Sequence, residues 1–232
     1  MIERWFVTGT DTEVGKTVAS TALLQAAGRA GYRTAGYKPV ASGCEMTADG
    51  IRNSDALVLQ ANSRIHLDYP MVNPLAFMEP TSPHIISAAE QRPIHLSALS
   101  AGLRALEAQA DWVLVEGAGG WFTPLSEQDT FADWVGQEQL PVILVVGIKL
   151  GCINHAMLTA HAIQHAGLHL GGWIANDIMP PGKWHQPYLQ TLQQRLPAPM
   201  LGEIPYLSTL HQHDLGQYID IGLLKNRPDF GE

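Results

Sequence analysis

The sequence predicts a doubly wound α/β fold, with a mostly parallel sheet covered by helices on both faces. Three observations predict it. Short apolar runs alternate along the chain with longer stretches of helical periodicity, which is the order of a layered α/β domain. Two of the runs, Val113-Leu114-Val115 and Val142-Ile143-Leu144-Val145-Val146, carry no polar alternation, as expected of strands buried on both faces. The chain has 232 residues, 46% of them hydrophobic and 16% charged, enough to bury a central sheet within one domain spanning 1–232.

Taken in order, apolar runs predict strands at 4–8, 34–38, 112–116, 141–146, 170–176 and, more weakly, 200–204. Helical spacing predicts helices at 16–30, 96–109, 154–165 and 184–195, with shorter ones near 53–60, 82–90 and 130–137. Residues 43–53 and 69–83 are irregular. The second stretch holds Pro70, Pro74, Pro80 and Pro83 and reads as a shaped surface loop.

Composition excludes several function classes. The formal charge is −8 with no basic run, which argues against nucleic-acid or membrane-surface binding. Cys44 and Cys152 are too few for a disulfide scaffold or a thiolate zinc site. The N-terminus lacks the pattern of a secretory leader, and no apolar run has bilayer-spanning length, so a cytoplasmic location is expected. The ten histidines do not recur at ligand-like intervals, and no cofactor is assigned to them.

The strongest motif is Gly9-Thr10-Asp11-Thr12-Glu13-Val14-Gly15-Lys16-Thr17, directly after the first strand and before a helix. A phosphate loop usually has four residues between its first glycine and Gly-Lys-Thr; here there are five. The chemistry is retained. Successive N–H groups can surround phosphate oxygens, Lys16 can reach between phosphates, and the Thr17 hydroxyl can ligate magnesium. The helix start offers further N–H groups to an anion. A dinucleotide fingerprint is absent at this turn. The fold expectation becomes a P-loop domain that binds ATP.

One hydroxyl cannot hold magnesium, so oxygen ligands are expected at other strand ends. Glu116 closes a buried strand before Gly117-Ala118-Gly119-Gly120 and is the first candidate. Asp55 is read by position equally as a ligand and as an ordinary first-turn acid after a cap at Asn53 or Ser54. Asp11 and Glu13 should face away from phosphate, while Asp129 and Asp133 read as surface or helix-cap residues. Lys38 ends the second strand. If that strand adjoins the first, Lys38 and Lys16 together face a transferring phosphoryl group. Ser42 either donates to substrate or caps a turn. Residues 147–154 form either an anion seat at a helix start or a plain loop capped by Asn154. Asn176 and Asp177 end a strand where a base would lie.

Together Gly-Thr-Asp-Thr-Glu-Val-Gly-Lys-Thr (9–17), Tyr-Lys-Pro-Val-Ala-Ser-Gly (37–43), Val-Glu-Gly-Ala-Gly-Gly (115–120) and Lys-Leu-Gly-Cys-Ile-Asn-His (149–155) resemble the dethiobiotin synthetase family, enterobacterial type, from the first strand to about residue 224. The resemblance implies a magnesium- and ATP-dependent cyclo-ligase acting on 7,8-diaminopelargonic acid and CO2. A carbamate forms on the N7 amine, is phosphorylated by ATP, and is attacked by the N8 amine to close the ureido ring. By the same resemblance, Lys16, Lys38 and Thr12 are catalytic, and Thr17, Asp55 and Glu116 form the magnesium set. Glu13, Val14, Gly15, Lys16, Thr17, Val18, Gly117, Ala118, Gly119, Asn176, Asp177, Pro205, Tyr206, Leu207 and Gln212 contact the nucleotide. Gln212 departs from the glutamate of close relatives, keeping a hydrogen bond without the charge. Thr12, Lys38 and Ser42 face the diamine, while Leu150, Gly151, Cys152, Asn154 and Tyr188 reach the substrate carboxylate across a homodimer interface.

Three other readings compete. A partitioning or regulatory ATPase of the same loop class usually carries a lysine five residues before the loop lysine, where this chain has Asp11. An amidating ligase related by fold would need a nitrogen source and a larger substrate. A nucleotide-binding interaction module would not need Lys38, Asp55 and Glu116 together.

Overall fold

The structure, a computed structural model, describes residues 2–207 and 214–225. β1 (Glu3–Gly9) leads through the glycine-rich loop into α1 (Lys16–Arg29), and β2 (Thr34–Tyr37) follows. Next come β3 (Val40–Ala41), β4 (Glu45–Thr47), β5 (Gly50–Arg52), α2 (Ser54–Asn62), α3 (Tyr69–Val72), β6 (Leu75–Ala76), α4 (Pro83–Ala89) and α5 (Leu96–Glu107). The chain continues with β7 (Trp112–Gly120), α6 (Phe131–Glu138), β8 (Val142–Gly147), α7 (Cys152–His165), β9 (Leu170–Asn176), α8 (His185–Arg195) and β10 (Met200–Ile204). Two short 3-10 turns, Leu215–Tyr218 and Ile221–Lys225, come last.

Six strands form one parallel sheet in the order β10-β9-β8-β1-β7-β2. Every residue of β8 is buried, as its unbroken apolar run requires of a strand covered on both faces. Leu23 and Leu24 of α1, Leu99, Leu103 and Leu106 of α5, and Ala156, Ala160 and Ile163 of α7 pack into the same core as the sheet. In α5 and α7 these buried positions recur every three or four residues, the spacing of one helix face. Asp133 closes a capping box with Thr130 at the start of α6, which is the helix-cap role read for it. No helix among the described residues is long and apolar enough to cross a membrane.

Four expectations are corrected. β2 does not adjoin β1, because β7 lies between them. β7 does not stop at Glu116 but runs on to Gly120. The irregular stretch 43–53 contains the β4–β5 hairpin, and the proline-rich stretch contains α3, β6 and the start of α4. α7 starts at Cys152 with Gly151 as its cap, φ 93°, so Asn154 is not the cap residue.

Candidate active site

The site forms where β1, β7 and β2 deliver their C-terminal ends beside the start of α1. The loop after β1 turns on two positive-φ residues, Glu13 at 61° and Gly15 at 84°. Gly15 has a second constraint. A Cβ there would collide with the Asn176 side-chain amide, which donates from Nδ2 to the Val14 carbonyl at 3.0 Å. The loop is thus stitched to the end of β9 by one buried asparagine. Val14 is fully buried beneath it, while Asp11, Thr12 and Glu13 remain exposed on its rim.

Lys16 is the first residue of α1 and curls back so that Nζ donates to the Asp11 carbonyl at 3.0 Å. Its pKa is lowered to about 8, first by burial and then by the nearby positive charge of Lys38. Asp11 itself is held below the ordinary carboxylate range, chiefly by the Thr12 backbone N–H it accepts.

Lys38 lies just beyond β2 and is 4% exposed. Its Nζ donates to Glu116 Oε1 at 2.6 Å, to Asp55 Oδ2 at 3.1 Å and to the Gly117 carbonyl at 3.4 Å. Burial alone would pull its pKa down, but the charges of Glu116 and Asp55 outweigh burial and raise it, so Lys38 stays an ammonium. Burial likewise pushes Asp55 up, and Lys38, with hydrogen bonds from Lys38 and Thr17, outweighs that to leave its pKa low. Asn53 caps α2 by accepting the Ala56 N–H, which sets Asp55 in the first turn facing the lysine.

Thr17 Oγ1 donates to Glu116 Oε1 at 2.9 Å. That separation is about the edge between neighbouring ligands of an octahedron with magnesium–oxygen bonds of ~2.1 Å. Glu116 is fully buried, and its Oε2 has no hydrogen-bond partner. An all-oxygen donor set with one orphaned buried carboxylate oxygen fits a small hard cation.

Sequence reasoning missed the support behind Lys38. The Lys38 N–H donates to the Val72 carbonyl at 2.8 Å, and Asn73 Nδ2 donates to the Lys38 carbonyl at 2.7 Å. Tyr69 OH donates to Asn73 Oδ1 at 2.9 Å and accepts the Asn53 N–H at 2.7 Å. One network therefore fixes both Lys38 and the helix that carries Asp55. Its only trace in the sequence is the four-residue spacing of Tyr69 and Asn73 within the proline-rich stretch.

A cavity of about 730 Å³ opens over the loop and continues between α1 and α2. Thr12, Glu13, Gly15, Lys16, Thr17 and Val18 line it from the loop and α1, with Lys38, Ser42, Asp55, Ala118 and Gly119 opposite. Asn176 adjoins through Val14 and Gly15, and Gly117 through its carbonyl. Leu150, Gly151, Cys152, Asn154 and Tyr188 are not among the lining residues, nor are Asp177, Pro205, Tyr206 and Leu207. Leu150 is 88% exposed and Cys152 is buried. Asp177 is directed at His185 instead. Gln212 lies outside the described residues. Lys149, one residue before Leu150, reaches Asp11 Oδ2 at 3.5 Å and so ties this segment to the phosphate-type loop.

A family model described as an AAA domain matches residues 3–214. Among solved structures, a ParA family ATPase from Chlorobium tepidum is similar, with a TM-score of 0.58 at 12% identity over 97% of this chain and 92% of that one. The MinD cell division protein of Aquifex aeolicus gives 0.54 at 14% identity over 95% and 89%. At such identities the likeness concerns the fold alone. The chain is 71% identical over 225 residues to ATP-dependent dethiobiotin synthetase BioD 1 of Escherichia coli (strain K12), covering 97% of this chain and 100% of that protein. It is 67% identical over 233 residues to BioD of Pseudescherichia vulneris, covering 100% and 97%. It is 65% identical over 231 residues to BioD 1 of Yersinia pestis, covering 97% and 96%. With identity this high across nearly the full length of each protein, the chain belongs to the dethiobiotin synthetase family.

Proposed function

We infer that this chain is an ATP-dependent cyclo-ligase that converts 7,8-diaminopelargonic acid and CO2 into dethiobiotin, releasing ADP and phosphate. The observation that carries the assignment of roles is the cluster of Asp55 and Thr17 around the buried Lys38–Glu116 pair, set against the glycine-rich loop. The loop N–H groups and the start of α1 hold the nucleotide phosphates. Lys16, freed from the Asp11 carbonyl, turns to them. Lys38 stabilises the charge that accumulates as the carbamate oxygen attacks the γ-phosphorus, and Thr12 and Ser42 orient the diamine. The ring then closes by attack of the neighbouring amine on the carbamic–phosphoric anhydride, with phosphate as leaving group. Holding both amines on one carbon skeleton makes that step intramolecular. Thr17, Asp55 and Glu116 would hold magnesium, which when bound neutralises phosphate charge.

The base end of the site favours adenine. Asn176 Nδ2 is committed to Val14, leaving Oδ1 as the acceptor for an exocyclic amine. Guanine offers a carbonyl at that edge. Pro205, Tyr206 and Leu207 follow directly on β10, the strand next to β9, and are assigned to the same end. Leu150, Gly151, Cys152, Asn154 and Tyr188 stand away from this chain's own cavity, which supports a homodimer in which they serve the partner's substrate carboxylate. The work is cytoplasmic.

The experiment is a turnover assay with the diamine, labelled bicarbonate, magnesium and ATP. Label should appear in the cyclic urea, with one phosphate per product. Lys38→Ala should lower kcat on the order of 10²–10³-fold. Release of ADP without label in the product would contradict the ligation, and normal turnover by Lys38→Ala would remove that residue from the chemistry.

A further inference from the structure

We infer that Asp177, His185 and Glu203 build a site for one first-row divalent transition-metal ion, with Asp177 Oδ1 and His185 Nδ1 as ligands and Glu203 orienting the ring. The three residues come from the end of β9, the first turn of α8 and β10, and each presents a ligand atom within 4.8 Å of the others. None is adjacent to another in sequence, so the cluster exists only through the fold.

The geometry is specific about which atom lacks a partner. Glu203 Oε1 lies 2.8 Å from His185 Nε2, a hydrogen bond that puts a proton on Nε2. Nδ1, the other ring nitrogen, lies 3.5 Å from Asp177 Oδ1. Asp177 Oδ1 accepts no hydrogen bond, and its side chain is 4% exposed. With the ring neutral at Nδ1, its lone pair and the carboxylate oxygen repel unless something positive lies between them. A proton fits poorly, because a charge-assisted N–H···O bond closes to about 2.7–2.9 Å. A metal fits well. Bonds of about 2.0–2.2 Å to nitrogen and oxygen at a tetrahedral angle separate the two ligand atoms by about 3.4 Å.

The supporting frame is rigid. Asp177 N donates to the Ile204 carbonyl at 2.9 Å, Glu203 pairs in register with Ala175, and the His185 N–H donates to the Gly182 carbonyl at 3.1 Å. A histidine bound to a metal through one nitrogen usually gives its other N–H to a carboxylate, which fixes the ring and raises its basicity. The nitrogen donor selects zinc, cobalt or nickel over magnesium. Water would complete the coordination from the Glu203 side, which is partly open. The helix start at His185 opposes a cation mildly, and two carboxylates outweigh it. An ion here would tie the residue after Asn176 to the strand that precedes Pro205.

The test uses the full chain without a polyhistidine tag, in excess magnesium and without nucleotide, titrated with cobalt(II). Visible absorption and titration heat should report one bound equivalent that disappears in both His185→Gln and Asp177→Asn. Glu203→Gln should weaken binding by about 10–100-fold. Circular dichroism and the metal-free thermal midpoint of each variant confirm that the fold is kept. Equal cobalt uptake by the native chain and both variants would overturn the proposal. So would a His185 ring found doubly protonated in the presence of zinc.

Discussion

Lys16 gives the site a pH dependence whose size follows from its surroundings. Burial and the charge of Lys38 lower its pKa from an ordinary 10.5 to about 8, so near neutrality it is mostly charged and by pH 9 mostly neutral. Nucleotide phosphates bring negative charge against Nζ and return its pKa toward the ordinary value. The sign follows directly: above the free-state pKa, binding must take up a proton, and affinity falls as pH rises. Taking the bound value as about 10.5, uptake grows from about 0.2 proton at pH ~7.5 to about 0.9 at pH ~9, and affinity drops about eightfold. Titration calorimetry with magnesium and a nonhydrolysable ATP analogue, in buffers of different ionisation heat, measures both quantities. The thiols of Cys44 and Cys152 are raised by burial and stay out of this window. Lys16→Arg keeps its charge throughout and should bind with a flat profile. A flat profile in the native protein, or the same slope in Lys16→Arg, would mean that Lys16 does not set the pH dependence.

Two further expectations concern the same cluster. Gly15→Ala puts a Cβ at φ 84° and into the Asn176 amide. It should cost about 1–2 kcal/mol of stability by denaturant titration yet remove most nucleotide affinity, and native-like binding would show that the loop tolerates the shift. Lys38→Met strands a fully buried Glu116 and should cost about 3–5 kcal/mol, whereas Lys38→Met with Glu116→Gln should cost clearly less than the sum of the two single changes; strict additivity would mean the pair is not coupled.

The sheet was legible because its strands are buried on both faces, so their apolar runs are unbroken and leave little ambiguity. The order of the strands was not, since nothing in the run around Ala35 states that its neighbour is Val113 rather than Phe6. Lys38 nonetheless arrives at the site by a different route from the one expected. It pairs with Glu116 of β7, the strand next to its own, instead of standing beside β1. The small pairings β3–β6 and β4–β5 escaped notice because two or three residues give no periodicity to read. Glu116 was flagged from a strand end and Thr17 from the loop motif, whereas position alone left Asp55 even between a ligand and an ordinary first-turn acid. Their mutual distances belong to tertiary structure, as do those of Asp177, His185 and Glu203, which lie up to 26 positions apart by their numbers.

A chain with a formal charge of −8 still has to admit a polyanion, and the site does so without presenting a naked positive pocket. Asp55 and Glu116 equal Lys16 and Lys38 in number, but both carboxylates sit on Lys38, while Lys16 leans on a backbone carbonyl. Standing attraction for phosphate therefore comes from oriented N–H groups at the loop and the start of α1, which act at short range and discriminate by shape. An unmatched pair of buried ammonium groups would instead hold inorganic phosphate, a product of the reaction, as firmly as the nucleotide. In the proposed mechanism, keeping Lys38 on its carboxylates until their charge is satisfied from elsewhere would confine its electrostatic help to the loaded site. There the help would act on the charge of the transition state rather than on any anion that enters.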